Sequence, residues 1–240
     1  DPVYSVPNLI PSSKSKGLIV TLEDHDFIEK GKGRYSKNIK NWSVEKIKRM
    51  GGDAVKVLAW YRPDADEKSI EHQKKYIARI GKECEKYDIP FLLELLVYPF
   101  KNEIGYSKDY KEQLYKNHNH VIDSVKEFSK AKYKVDIFKL ESPVNSNQLQ
   151  NSQFTKATED AFKELSKATR NIPWVMLSSG MSKNSFFNCL KLAYKNGASG
   201  YLAGRTIWLD AFKDYPNYKK IITKLNRFHF LIIYEVIIKE

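Results

Sequence analysis

The chain has 240 residues, 42% hydrophobic and 13% aromatic, which is enough to bury a substantial core in one large domain or two small ones and too apolar for a disordered protein. Its net charge of +12 comes from lysines scattered over the whole sequence rather than gathered in one stripe, which argues against a nucleic-acid partner. A solvated basic surface or a preference for anionic small molecules remains. Cys84 and Cys189 lie far apart and make neither a disulfide framework nor a zinc pattern, and no charged and apolar leader opens the chain, so a reducing, cytoplasmic setting is expected.

In chain order, apolar β-rich runs alternate with helical patterns. "GLIVTLE" (17–23) is followed by "SVEKIKRMG" (43–51), which opens on an N-cap serine and stops at glycine. "DAVKVLAWY" (53–61) precedes a helical stretch over 67–87 with Ile70, Ile77 and Ile80 on one face. "IPFLLELLVY" (89–98), a helix over 119–130, "VDIFKLE" (135–141), a helix over 156–169, "IPWVMLSSG" (172–180) and "ASGYLAGR" (198–205) complete the alternation. Residues 209–240 are expected as a C-terminal helix ending in a β-prone tail, "RFHFLIIYEVIIKE", separate from a domain over 1–208. The longest apolar run, 230–238, is broken by Glu235 and too short to span a bilayer, so no membrane partner is expected.

Strand and helix alternating six times predict a parallel sheet with crossover helices, either open and doubly wound or a (β/α)8 barrel. No G-x-G-x-x-G follows the first strand, so a dinucleotide cofactor has no support. The glycines fall instead after the last two strands, in "SSG" (178–180) and "AGR" (203–205), where barrels often hold phosphate. The expectation is therefore an incomplete (β/α)8 barrel containing strands three to eight.

Alternation along the strands sharpens this. Lys139 shares a face with Val135, Ile137 and Glu141, while Phe138 and Leu140 take the helix-facing side. Lys56 lies on the same face of its strand as Ala54, Leu58 and Trp60, Glu94 on that of Leu92 and Leu96, and Glu23 ends the first run. Two lysines and several carboxylates thus converge at the C-terminal end of the strands, where barrel enzymes carry their chemistry. A lysine kept from water beside a second cation loses its proton more easily, and the neutral amine attacks ketones to give a Schiff base. An inward Lys/Glu ion-pair layer that merely fills the barrel accounts for the same pattern.

The segments "VDIFKLESPVN", "PWVMLSSGMSKNSF", "GASGYLAGRTIW", "KGRYSKNIKNWSVEKIKRMGGDAVKVLAWYRPDAD" and "DIPFLLELLVYP" resemble the tagatose-1,6-bisphosphate aldolase family, which includes sulfofructose-phosphate aldolases. The resemblance covers about Asp1 to Trp208. It implies a metal-free, cofactor-free class I aldolase that cleaves a phosphorylated ketose. By this resemblance Lys139 matches the Schiff-base lysine, Lys56 the second lysine that lowers its pKa, and Glu94 the proton-transferring carboxylate. Ser179, Gly180, Gly204 and Arg205 match a phosphate cradle, Arg34 could hold the other anionic end or be a solvated loop residue, and Glu23 and Asp24 could reach sugar hydroxyls. Glu141, two residues beyond Lys139, belongs to the same ligand-facing set.

Family members carry two further βα units before the region matched, so a six-stranded sheet would leave two edges open to a homo-oligomer or another strand. A sulfofructose-phosphate aldolase and a non-catalytic remnant are the alternatives. "HNH" (118–120) reads as a helix start, His25 as a polar loop residue, and Trp42, Trp60, Trp174 and Trp208 as core.

Overall fold

The computed structural model describes residues 17–108 and 117–232, with side chains described to residue 226. Six parallel strands form one sheet: β1 (Ile19–Thr21), β4 (Ala54–Trp60), β5 (Phe91–Leu96), β6 (Ile137–Leu140), β7 (Trp174–Leu177) and β8 (Gly200–Leu202), adjacent in that order. Every neighbouring pair is parallel, so the sheet is a half-barrel with β1 and β8 at its edges. Between them run α1 (Val44–Arg49), α2 (Glu67–Lys86), α3 (His118–Phe128), α4 (Lys156–Ala168) and α5 (Lys183–Lys195), and β8 is followed by α6 (Arg205–Phe212) and α7 (Tyr218–Ile232).

Residue parity decides what each face meets. Val55, Val57, Ala59, Leu93, Phe138 and Leu140 are fully or nearly fully buried against helical residues such as Ile47, Ile77, Ile80 and Phe162. Burial of such side chains stabilises by roughly 1.5–3 kcal/mol each. The opposite parity carries Lys56, Glu94 and Lys139 and, at the mouth, a smaller apolar layer of Trp60, Leu96, Tyr98 and Leu177. Caps fix the helix starts: Ser43 accepts from the Lys46 amide at 3.2 Å, and Asp66 accepts from the Ser69 amide at 3.1 Å. Each cap is worth about 1 kcal/mol.

One element was not foreseen. β2 (Ile28–Lys30) and β3 (Gly33–Tyr35) form an antiparallel hairpin within what read as a loop. Asp66 ties it to the start of α2 by also accepting the Lys32 amide at 2.8 Å. Gly33 is packed so closely there that a Cβ would lie 2.1 Å from Ser69 Oγ, which makes glycine the only fit.

Two expectations need correction. Residues 227–232 of the tail continue α7 as helix rather than strand, because a start capped by Asn217 propagates through residues whose β-preference is only a weak prior. Residues 233–240 lie outside the described residues, as do 1–16. Trp208 is 42% exposed and lies with Leu209 and Phe212 on an uncovered face of α6, whereas Trp60 and Trp174 are core. Cys84 and Cys189 are buried on α2 and α5, and burial pushes the Cys84 thiol up to about 12, well out of the reactive range. Among the described residues no helix is long and apolar enough to cross a membrane.

Candidate active site

Four side chains from four neighbouring elements line up across the inner face in alternating charge. Glu23 follows β1, Lys56 lies on β4, Glu94 on β5 and Lys139 on β6. Glu94 stands directly opposite Lys139 in the strand register, and Lys56 sits one same-face step back on β4. Its two oxygens are divided between the lysines: Oε1 lies 2.9 Å from Lys139 Nζ and Oε2 3.2 Å from Lys56 Nζ. Lys56 makes a second, shorter bond to Glu23 Oε1. Glu23 Oε2 is buried with no hydrogen-bond partner among the described residues.

The electrostatics follow from this chain of pairs. Burial alone would lower the Lys56 pKa, but the pull of Glu23 and Glu94 outweighs it and leaves the amine raised above its ordinary value. Burial would raise Glu94, yet two ammonium groups overcome it and hold the carboxyl below its usual range. Lys56 is thus a fixed cation and Glu94 a fixed anion around neutral pH. Within 4 Å, Lys139 meets one carboxylate among the described residues where Lys56 meets two, so Lys139 is the less tightly neutralised amine.

Two loops meet on the β7–β8 side. After β7 the chain turns tightly, with the Met181 amide donating to the Ser178 carbonyl at 2.8 Å and Ser179 and Gly180 at φ 50° and 77°. The left-handed conformation suits Gly180. A Cβ there would lie 3.4 Å from Arg205 Cζ, so the guanidinium packs directly over it. Thr206 Oγ1 donates to the Met181 carbonyl at 2.8 Å and locks the second loop to the first. Gly204 caps α6 without a side chain, leaving the helix's leading amides to other acceptors. Ser179, Gly180, Gly204 and Arg205 are therefore brought together where the two loops meet.

Arg34 and Glu141 are placed differently from expectation. Arg34 is 1% exposed and neither solvated nor open to an anion: its guanidinium carbon lies 4.1 Å from the Phe27 ring and 4.6 Å from both Trp60 and Tyr98. Cation–π enclosure supplements a long ion pair, with Glu29 Oε1 3.9 Å from Arg34 Nε. Glu141 is buried, and its Oε1 accepts the Val97 amide at 2.7 Å, joining the ends of β5 and β6 instead of facing a ligand with that oxygen. Both corrections have one cause: strand parity gives a side chain's face but not the long-range partner that claims it.

A cavity of about 830 Å³ opens at the mouth, lined by Glu23, Lys56, Phe27, Trp60, Lys108 and Arg205 among others. Phe27 and Lys108 carried no motif and were not singled out from the sequence. At its rim His25, 91% exposed on its side chain, lies between Asp24 and Asp26, and Asp24 also pairs with Lys37 at 3.2 Å. His118 and His120 belong to the first turn of α3, and His120 faces Asp64 at 3.7 Å.

Comparison with known proteins gives the family and the fold. The family model described as "DeoC/LacD family aldolase" matches residues 11–210. A tagatose 1,6-diphosphate aldolase of Enterococcus faecalis is 36% identical over 216 residues, covering 88% of this chain and 66% of that protein, and one of Streptococcus mutans is 34% identical over 223 residues, covering 90% and 67%. The chain thus spans about two thirds of the length of these relatives. Among solved structures, an archaeal fructose-1,6-bisphosphate aldolase with its catalytic lysine bound to a carbinolamine superposes with a TM-score of 0.59 at 16% identity, over 94% of this chain and 75% of that one. The Plasmodium falciparum fructose-bisphosphate aldolase gives 0.64 at 11%, over 96% and 72%. At such identities the likeness establishes the fold, that of a barrel aldolase, while the family match extends over most of the sequence. The chain belongs to the DeoC/LacD aldolase family.

Proposed function

We propose that this chain carries the Schiff-base site of an aldolase acting on a phosphorylated ketose such as tagatose 1,6-bisphosphate, giving dihydroxyacetone phosphate and an aldehyde. The observation that carries this reading is the division of Glu94 between two lysines. Lys139, the amine with a single carboxylate contact, is the nucleophile. Its neutral form adds to the ketone carbon, and loss of water gives an iminium. Breaking the adjacent carbon–carbon bond sends its electron pair into the iminium, forming an enamine, while the departing hydroxyl gives up its proton to a base and becomes the aldehyde carbonyl. Glu94, anionic and touching Lys139, relays protons in these steps. Lys56 remains charged throughout and anchors Glu94 and Glu23.

The loops after β7 and β8 provide a phosphate cradle from backbone amides at the start of α6 and the Arg205 guanidinium, a planar donor suited to phosphate. Glu23 Oε2, buried and without a partner, is placed to accept a substrate hydroxyl. A sulfofructose phosphate offers the same ketone and phosphate, so only contacts at its other end separate the two substrates.

One observation favours a second reading. Among the described residues the sheet ends in edges without a further strand, with Ile19 44% and Leu202 37% exposed, so the chain alone could bind a phosphosugar without completing turnover, or pair an edge with another strand. Borohydride trapping with dihydroxyacetone phosphate, followed by peptide mass analysis, decides between them. A reduced adduct on Lys139 is expected. A folded sample that gives no adduct would transfer support to the binding reading.

A further inference from the structure

The mouth cavity has a wall whose construction the proposed chemistry does not explain. Arg34 is among the largest fully buried side chains of the protein, yet it touches neither lysine of the charge ladder. Its contacts join four segments instead. Phe27 precedes the hairpin, Trp60 ends β4, Tyr98 follows β5, and the Ser107 carbonyl accepts from Arg34 Nη2 at 2.6 Å. The Arg34 amide in turn donates to Tyr98 Oη at 3.1 Å, and Tyr106 Oη reaches back to both oxygens of Glu29 at 2.8 and 2.7 Å.

A second arginine holds the beginning of the same segment. Arg62 donates to the Tyr98 carbonyl at 3.0 Å and pairs with Glu103 at 2.5 Å. The stretch from Tyr98 to Ser107 is therefore pinned near both ends by buried guanidinium groups, and the residue that follows the second pin is Lys108.

Lys108 lines the same cavity as Arg205. Among the described residues it has no carboxylate within 4 Å, whereas Lys37 is paired with Asp24 and Lys56 with Glu23 and Glu94. The segment bearing Lys108 leaves β5 and Arg205 follows β8, so the two cations reach the cavity from strands that are not neighbours in the sheet. Two cations so placed at one cavity suit a chain sugar with an anion at each end.

We infer that Lys108 binds the anionic group at the end of the substrate away from the Arg205 cradle, and that Arg34 is a positioning residue that sets Lys108 on the cavity wall. This rests on the ketose-phosphate reading above. A phosphate and a sulfonate present the same chemistry to an ammonium, so the inference specifies the charge of that end and the ligands below separate the two groups.

The test compares tagatose 1,6-bisphosphate, tagatose 1-phosphate and sulfofructose 1-phosphate in two ways. In borohydride trapping at Lys139, Lys108→Met should raise the half-saturating concentration of the bisphosphate about tenfold, the loss of one charge-assisted hydrogen bond, and that of the monophosphate less than twofold. Equal shifts for both ligands would overturn the assignment. In amine acetylation read by mass spectrometry, the bisphosphate should protect Lys108 and the monophosphate should not; unprotected Lys108 under saturating bisphosphate would also overturn it. Acetylation needs no imine, so absence of any Lys139 adduct would count against the aldolase reading while protection still decides the subsite. Sulfofructose 1-phosphate matching the bisphosphate shows that the subsite reads charge, and matching the monophosphate shows that it reads phosphate.

Arg34→Lys tests the positioning role. It should reduce the preference for bisphosphate over monophosphate towards that of Lys108→Met, and Lys108→Met should add little on top of it. A merely structural role would weaken both ligands equally, and fully additive effects would show that Arg34 does not act through Lys108.

Discussion

Two cations are buried at the mouth of this half-barrel and they are neutralised by opposite means. Lys56 is matched by the carboxylates of Glu23 and Glu94, while Arg34 is wrapped by the rings of Phe27, Trp60 and Tyr98. Carboxylates can accept and return protons and compete for nearby amines; aromatic faces can do neither. The first arrangement keeps a proton-exchanging group beside Lys139, and the second fixes a wall in place with its one close carboxylate among the described residues, Glu29, at the longer distance of 3.9 Å.

The comparison can be broken most severely at Lys139. Lys139→Ala should abolish the borohydride-trapped adduct while the fold persists, read by circular dichroism; full trapping in that variant would show that another amine reacts. Glu94→Gln should come next, destabilising by up to about 3–5 kcal/mol in urea unfolding, because it takes the counter-charge from half-buried Lys139 and leaves Lys56 with Glu23 alone. The carboxyl of Glu94 is held below its usual range, so its stabilising contribution is complete above the unfolded carboxyl pKa of about 4.3 and is lost as pH falls through the lower folded value. The variant should accordingly lose less stability than the native protein on acidification.

Arg34→Met should cost about 2 kcal/mol, the approximate worth of a desolvated cation–π contact, with little change in its dependence on pH. A steep new pH dependence would show that Arg34 is held by titrating groups after all. Lys56→Met completes the set, and it is read in the alkaline limb of urea unfolding. The raised pKa of Lys56 has a stability signature. The contribution of Lys56 is complete below the unfolded lysine pKa of about 10.4 and is lost as pH rises through the folded value, so the variant should lack that alkaline loss.

Much of this was legible because strands have a period of two. Parity alone put Lys56, Glu94 and Lys139 on one face and Phe138 and Leu140 on the other, and the glycines after β7 and β8 marked the two loops that meet at Arg205. What parity cannot express is a partner far along the chain. Arg34 read as a loop residue because the rings around it come from positions 27, 60, 98 and 106, and Glu141 read as ligand-facing because the Val97 amide that engages it is 44 residues away. The β2–β3 hairpin was hidden for a related reason: its short strands owe their place to Asp66 and Ser69 on α2 rather than to their own β-propensity. The resemblance to a family supplied roles that residue patterns left open, and it too misjudged Arg34.

Among the described residues the two outer strands, β1 and β8, both run parallel to their neighbours, so a strand added to either in the same sense would extend the sheet without reversing it. A contact of β1 on one copy with β8 on another would be head-to-tail and without a two-fold axis, and contacts of that kind close into rings or run on as filaments. Light scattering against protein concentration is the measurement that would detect them.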